Sequence, residues 1–332
     1  MPTNTQVRLV SRPTGFPDAS NFEIVRDAPL PELKDGEVLV RNQFLSLDPY
    51  MRGRMNEGRS YAPPVALGDV MVGGTAGEVV LSKTPAFAVG DKVVGALGWQ
   101  EYGVANGGAL TKVDGGLPLS VYLGVVGMPG VTAYIGLYDI GEPKEGETVV
   151  VSAAAGAVGS VVGQLAKIRG CRAVGIAGGR DKCDYVVREL GFDACIDHRS
   201  PDFTSELRAA TRDGVDVSFE NVGGPVMDAV LAQLNPFARV PLCGLVSQYN
   251  ATEPYALKNV AALLWKRVKL QGFIVSDRMD RWPRALADLA KWVAEGKIRY
   301  RETVAHGLTN APEAFFGMLR GANLGKQIVK LV

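Results

Sequence analysis

Between residues 153 and 159 the chain reads Ala153-Ala154-Ala155-Gly156-Ala157-Val158-Gly159, a turn built only of very small residues. Ala154, Gly156 and Gly159 occupy the three glycine positions of a G-x-G-x-x-G fingerprint. Such a turn suits the pyrophosphate of a dinucleotide, because backbone N–H groups and a helix N-terminus reach an anion only where no side chain intervenes. Gly156 is where a side chain would hold the phosphates off, and Gly159 is where a helix must pack closely on its strand. Alanine at the first position weakens the motif, and a small-residue helix start buried in a core is the competing reading. A second group follows Gly156 by 22 residues, in Ala177-Gly178-Gly179-Arg180-Asp181-Lys182. NAD sites usually carry an Asp or Glu about there for the ribose 2′-hydroxyl. Here Gly178 takes that place, with Arg180 and Lys182 close behind. Room and positive charge suit a 2′-phosphate, so the cofactor expected is NADP(H), against the alternative of a merely solvated basic loop. Asp181 is expected to cap the next helix.

These residues need a strand before the turn and a helix after it. Thr148 to Val151 is a short β-branched run, and Val158, Val161, Val162, Leu165, Ala166 and Ile168 recur at helical spacing. Further strands are expected at 172–177, 194–197, 215–219, 238–243 and 269–275, alternating with helices over 181–190, 226–234, 260–266 and 281–295. That alternation implies a parallel sheet covered on both faces, a doubly wound α/β fold. Upstream, a helix is expected from Pro129. Residues 1–125 instead scatter Pro and Gly among short β-type runs, which suits a partly open β-barrel. The segment from Lys297 returns to strand-like pieces and is expected to rejoin the first domain. The expected organisation is therefore 1–125 completed by 297–332, with 126–296 as the nucleotide-binding domain. Tyr50, Arg52, Arg54, Tyr61 and Trp99 place polar-tipped aromatic and basic side chains in loops of the first domain, where each could equally just cover a barrel mouth.

With 332 residues, 47% hydrophobic and 21% charged, the chain reads as an ordinary two-domain globular protein. A net charge of +1 gives no reason to expect a nucleic-acid partner. The opening MPTNTQVRLVSRP has no signal-peptide pattern, and no apolar run approaches the roughly 20 residues of a membrane span. Cys171, Cys183, Cys195 and Cys243 are widely spaced, as expected of separate core residues in a reducing compartment. A cytoplasmic location is expected. A metal is not: there is no Cys or His around Ser46-Leu47-Asp48 or within 85–115, and His198 and His306 are the two histidines of the chain. Nor is there a G-x-S-x-G elbow.

Several blocks in the same order carry a resemblance over essentially the whole chain. They are Leu47-Asp48-Pro49-Tyr50-Met51-Arg52, Ser60-Tyr61-Ala62-Pro63-Pro64, Ala153 to Ser160, Phe219-Glu220-Asn221-Val222-Gly223-Gly224, Cys243-Gly244 through Tyr249-Asn250, and Asn323-Leu324-Gly325-Lys326. With them the chain resembles the zinc-independent medium-chain dehydrogenases/reductases, of the branch containing prostaglandin reductase, plant alkenal double-bond reductases and bacterial curcumin reductase. The resemblance implies a GroES-like barrel plus a Rossmann domain with the cofactor in the cleft between them. It implies that Gly156, Ala157, Val158 and Gly159 hold the pyrophosphate, and that Lys182, helped by Gly178 and Arg180, holds the 2′-phosphate. Asn221, Cys243, Ser247, Tyr249, Phe273 and Asn323 match cofactor-contact positions, while Met128 and Thr132 would lie beside the nicotinamide half. His198 stands where prostaglandin reductases have a Tyr near the 2′-phosphate. Trp265 stands where many alkenal reductases have a Tyr credited with holding the substrate oxygen, and an indole has one N–H donor and no useful acidity.

Without zinc to polarise a carbonyl, reduction of an isolated ketone would lack its electrophile, whereas a conjugated enone needs only donors for its enolate oxygen. The expected activity is NADPH-dependent reduction of the C=C bond of α,β-unsaturated ketones and aldehydes. Tyr50 and Tyr61 are the expected donors, with Trp99 and Trp265 as further substrate-lining residues. The alternatives are an NADPH quinone reductase and an NADPH-binding sensor or structural protein. A homodimer is expected.

Overall fold

The computed structural model describes residues 3–113 and 116–332. Its chain divides into two compact units, Met1–Gly124 with Glu302–Val332, and Val125–Arg301. In the second unit the strands Thr148–Ser152, Arg172–Ala177, Ala194–Asp197, Val215–Phe219, Leu234–Leu242 and Lys269–Gly272 form one sheet. All its pairings are parallel, and its spatial order is third, second, first, fourth, fifth, sixth. That is the order of a doubly wound dinucleotide-binding sheet, with its reversal between the first and fourth strands. Every residue of Thr148–Ser152 is buried, as a central strand covered on both faces requires. The helix Gly159–Ile168 follows the small-residue turn and buries Val161, Val162, Leu165 and Ala166.

Boundaries differ from expectation where backbone geometry overrides side-chain pattern. The fifth strand starts at Leu234 rather than 238, carrying a left-handed Phe237 (φ 64°) that the apolar pattern does not reveal. The helix from Met128 continues past Ile135 as a π-helical turn, Gly136–Gly141. A Cβ on Gly136 would stand 2.6 Å from the rings of both Phe219 and Phe273, so glycine is required there. Asp181 does not cap: the helix Arg180–Arg188 begins one residue earlier, and the carboxylate lies in its first turn, where the helix dipole still favours it. Residues 297–301 fall in the parallel-sheet unit rather than with the barrel. Gln164 holds Arg299 through two backbone bonds of 2.7 and 2.8 Å, and Arg301 pairs with Glu189 at 2.8 Å.

In the first unit Glu302–His306, Lys326–Lys330, Glu37–Ser46, Thr75–Ser82, Lys92–Gly95 and Thr111–Lys112 follow one another across a sheet, with Tyr102–Asn106 also paired to Glu37–Ser46. Asn4–Leu9 and Phe22–Ala28 form a separate antiparallel pair. One core gathers Val38, Val40, Val79, Phe87 and Val93. A second gathers Leu45, Leu47, Met51, Trp99, Phe315 and Phe316. Among the described residues no helix is long and apolar enough to cross a membrane.

Candidate active site

In a doubly wound sheet, ligands bind outside the carboxyl ends of the strands. The expected cofactor residues of the parallel-sheet unit fall mostly in those places. Gly156, Ala157, Val158 and Gly159 follow the first strand; Gly178, Arg180 and Lys182 the second; His198 the third; Asn221 the fourth; Cys243, Ser247 and Tyr249 the fifth; and Phe273 the sixth. The two motif glycines differ in what demands them. A Cβ on Gly159 would stand 2.3 Å from the Ala153 oxygen, so the fold itself excludes a side chain there. A Cβ on Gly156 would meet only that same oxygen, at 3.2 Å. The fold therefore demands glycine less strictly at 156 than at 159. Ala154, the departure from the fingerprint, is fully buried, and its methyl lies where a Cβ on Gly175 would come within 2.8 Å.

Two basic side chains stand against Gly178. A Cβ on Gly178 would stand 2.8 Å from His198 Nε2 and 3.2 Å from Arg199 Nε. Gly179 is left-handed, with φ 101°. Asp197 Oδ1 accepts the N–H groups of Gly179 at 2.8 Å and Arg199 at 2.9 Å, which locks the loop after the third strand onto the loop after the second. Lys182 is half-buried beside them. Partial burial, and then the Arg199 guanidinium, hold its ammonium below the ordinary lysine value. Partial burial, followed by Arg199, likewise holds His198 below its usual value. An anion placed among Lys182, His198 and Arg199 would offset both the burial and the like charge. Arg180 is exposed at the start of its helix. Arg199 escaped the sequence reading because it follows a short third strand; only the strand order, with the third beside the second, brings it to Gly178.

Asn221 joins the ends of the first and fourth strands, its N–H and Nδ2 donating to Ser152 Oγ and Ser152 O, each at 2.8 Å. Beside it the fully buried Glu220 carboxylate accepts from Ser152 Oγ (2.9 Å) and from the N–H groups of Val222 (2.6 Å) and Gly223 (2.7 Å). Burial pushes this carboxyl up, against those donors. Burial, and then Glu220, push the Cys243 thiol up to about 12, so it is no nucleophile. The Ser247 N–H donates to Val222 O at 2.9 Å, and the Tyr249 hydroxyl accepts from the Leu245 N–H at 3.4 Å, folding that loop back on itself. Phe273 stands edge-on to Phe219. Met128 and Thr132 share the helix Met128–Ile135, with Thr132 Oγ1 bound to Met128 O. Asn323 belongs to the other unit, its Nδ2 donating to Gly325 O at 2.7 Å.

The expected substrate residues part company. Tyr50 opens a short helix, Tyr50–Arg54, rather than lying in a loop, and it is half-buried against the Leu47–Met51–Trp99 core. Burial first, and the Asp48 carboxylate second, raise its phenol well above the ordinary tyrosine value. Tyr61 is 59% exposed, near enough to Tyr50 to add to that rise. Arg52 is structural: its guanidinium is buried, donating to Asn56 Oδ1 and Gly15 O. Trp99 is corrected to a core residue. It is 0% exposed, stacked on Phe22 at 5.6 Å and edge-on to Phe315, so it offers no surface to a substrate. Trp265 belongs to the parallel-sheet unit. It precedes the sixth strand instead of following one, is 72% exposed, and neighbours Lys266 and Arg267, which contact Phe237 early in the fifth strand. It does not join the cofactor loops of its own unit.

Two family models match the chain, the N-terminal domain of oxidoreductase over residues 5–113 and zinc-binding dehydrogenase over residues 157–292. The NADPH-dependent curcumin reductase of Escherichia coli K12 is 50% identical over 330 residues, spanning 97% of this chain and 95% of that protein. The chain belongs to the zinc-independent medium-chain dehydrogenase/reductase family. Prostaglandin reductase 1 of Rattus norvegicus is 46% identical over 327 residues, covering 95% of each chain. The NADP(+)-dependent 2-alkenal reductase of Nicotiana tabacum is 42% identical over 334 residues, covering 98% of this chain and 97% of its own. The crystal structure of CurA from Vibrio vulnificus in complex with NADPH superposes with a TM-score of 0.94 at 50% identity, over 99% of both chains. This medium-chain reductase therefore combines a GroES-like β-barrel with a Rossmann parallel sheet. Among the described residues no group of three or more His, Cys, Asp or Glu side chains could hold a metal ion.

Proposed function

We propose that the protein is an NADPH-dependent reductase of the C=C bond of α,β-unsaturated ketones and aldehydes. The relatives named for NADPH and for curcumin, prostaglandin or alkenal reduction support this, and so does the fit of the loops. Lys182, His198 and Arg199 around Gly178 would take the 2′-phosphate, and Gly156 to Gly159 the pyrophosphate. When held by these loops, the nicotinamide would supply a hydride to the β-carbon of the enone. What the chain must add is a hydrogen-bond donor for the oxygen on which enolate charge develops. The observation that carries the reading is the Tyr50 phenol, half-buried and kept protonated by burial and by Asp48. Such a phenol holds an oxyanion without surrendering its proton, so Tyr50 orients the substrate and stabilises the enolate, while the α-carbon proton comes from elsewhere. Tyr61, exposed beside it, is the second donor.

Steady-state turnover of NADPH with a series of enones, enals and flat bicyclic quinones tests the reading. Enones and enals reduced at the C=C bond are expected; turnover confined to quinones would replace it with quinone reduction, and no turnover with any of them would leave a binding protein. A cytoplasmic homodimer is part of the proposal. Every residue of the edge strand Lys269–Gly272 is exposed, with Leu264, Trp265 and Leu270 among the exposed large apolar side chains. An open edge of this kind can pair with its own copy about a two-fold axis.

A further inference from the structure

Beneath Tyr50 lies a buried ion pair that the fold places at the junction of three chain segments. Lys326 opens the strand Lys326–Lys330, which pairs with Glu302–His306 on one side and with the end of Glu37–Ser46 on the other. Its side chain is 5% exposed and that of Asp48 7%, so both charges are withdrawn from water. The stem passes Gly124, where a Cβ would stand 3.5 Å from Lys326 Cγ. All three ammonium protons are used: Nζ donates to Leu47 O at 2.5 Å, Asp48 Oδ1 at 2.9 Å and Gln327 O at 3.1 Å. The other Asp48 oxygen accepts from the Ser46 hydroxyl. The Asp48 carbonyl accepts the Met51 N–H at 3.1 Å, which starts the helix that carries Tyr50. A second carboxylate, Glu302, is held by Ser120 at 2.9 Å, and its charge acts on the same ammonium.

A pair buried this deeply is weak evidence for stability in itself, since desolvation offsets most of the attraction. What it does supply is a fixed geometry. Lys326 grips the backbone at Leu47 and the side chain at Asp48, the residues immediately before Pro49-Tyr50. Pro49 has φ −59°, the ring-fixed value, so little play separates Asp48 from the phenol. We propose that Lys326 is a positioning residue for the reaction: through Leu47 and Asp48 it holds the Tyr50 hydroxyl where the enolate oxygen forms. The proposal rests on the reading of Tyr50 given above.

The test is a double-mutant cycle on hydride transfer, measured in single turnovers with saturating NADPH and the fastest enone of the substrate screen. Tyr50→Phe and Lys326→Met are each expected to slow the step by about tenfold. In the Tyr50→Phe background, Lys326→Met should then change it by less than about twofold, because the group it positions is gone. The isotope-labelled tyrosine NMR signal missing in Tyr50→Phe should also move in Lys326→Met. Ser46→Ala removes only the hydroxyl on Asp48 and runs through the same cycle should Lys326→Met fail to fold; a loss of about threefold that vanishes in Tyr50→Phe is expected. Equal losses with and without the Tyr50 hydroxyl, or full rates in Lys326→Met, overturn the positioning role alone. A full rate in Tyr50→Phe itself overturns the reading of Tyr50, and the proposal with it.

Discussion

The loops at the carboxyl ends of the parallel sheet and the Lys326–Asp48 pair beneath Tyr50 both gather charge, by opposite means. At Gly178 the basic side chains are half-buried or exposed, Arg199 disfavours the charge on Lys182, and Asp197 binds the backbone N–H groups of Gly179 and Arg199 rather than the side-chain charges. At Asp48 the charges are buried, opposite in sign and each fully bonded. The first arrangement leaves unspent attraction for a ligand, and its members act in parallel. The second has nothing left to offer a ligand and serves as a rigid mount. Losing one cation from the cradle should weaken binding by degrees, whereas losing one half of the pair should strand the other half.

The largest effect that would break this contrast is at the pair. Asp48→Ala leaves a buried, uncompensated ammonium and is expected to cost about 3–5 kcal/mol, seen as a lowered midpoint in denaturant unfolding. A loss no larger than that of a surface substitution would mean that water reaches Lys326. Next come the two motif glycines. Gly159→Ala forces a Cβ against the Ala153 carbonyl and is expected to destabilise by about 1–3 kcal/mol. Gly156→Ala should leave the unfolding midpoint nearly unchanged while weakening NADPH, measured by fluorescence titration. If the two variants behave alike, fold and ligand do not divide the glycines as argued.

Smaller effects sharpen the cradle. Lys182→Ala and Arg199→Ala are each expected to weaken NADPH about tenfold and NADH hardly at all. Equal losses for both cofactors would place these cations away from the 2′-phosphate. The smallest effect concerns Glu220, whose carboxyl is raised by burial. A carboxyl with a higher folded than unfolded pKa binds its proton more tightly when folded, so its ionisation disfavours folding as pH rises past the ordinary carboxylate range. Glu220→Gln keeps an oxygen for Ser152, Val222 and Gly223 and cannot ionise. It should therefore melt above the wild type at about pH 8 and by a smaller margin at about pH 5. Equal margins would show that burial does not raise the Glu220 carboxyl.

The parallel-sheet unit was legible because its signals are local and repeated. Apolar β-branched runs, small-residue turns and helical periodicity each mark one element, and their alternation implies the sheet. The barrel unit offered fewer such signals. Trp99 reads as a pocket aromatic because its neighbours Gly98 and Gln100 look like loop residues, yet Phe22 and Phe315, far away in sequence, enclose it. The helix at Tyr50 is too short to show a period. Arg199 and Lys326 were missed for a shared reason. Each acts on a segment distant in sequence, Arg199 across neighbouring strands and Lys326 across 278 residues to Asp48. The family resemblance pointed at Tyr50 and Lys182; the groups that hold them emerge only from the pairing of strands.

The alanine at the first fingerprint position has a meaning for the strand beside it. Position 154 gained a methyl group, and position 175, in the neighbouring strand, is the glycine whose side chain would collide with it. Glycine at 154 would relieve only the nearest of the contacts on a Cβ at 175, since Val186 at 3.0 Å and Cys195 at 3.2 Å would still crowd it. The methyl at 154 is thus one wall of a small pocket, shared with Val186 and Cys195, that only glycine at 175 fits.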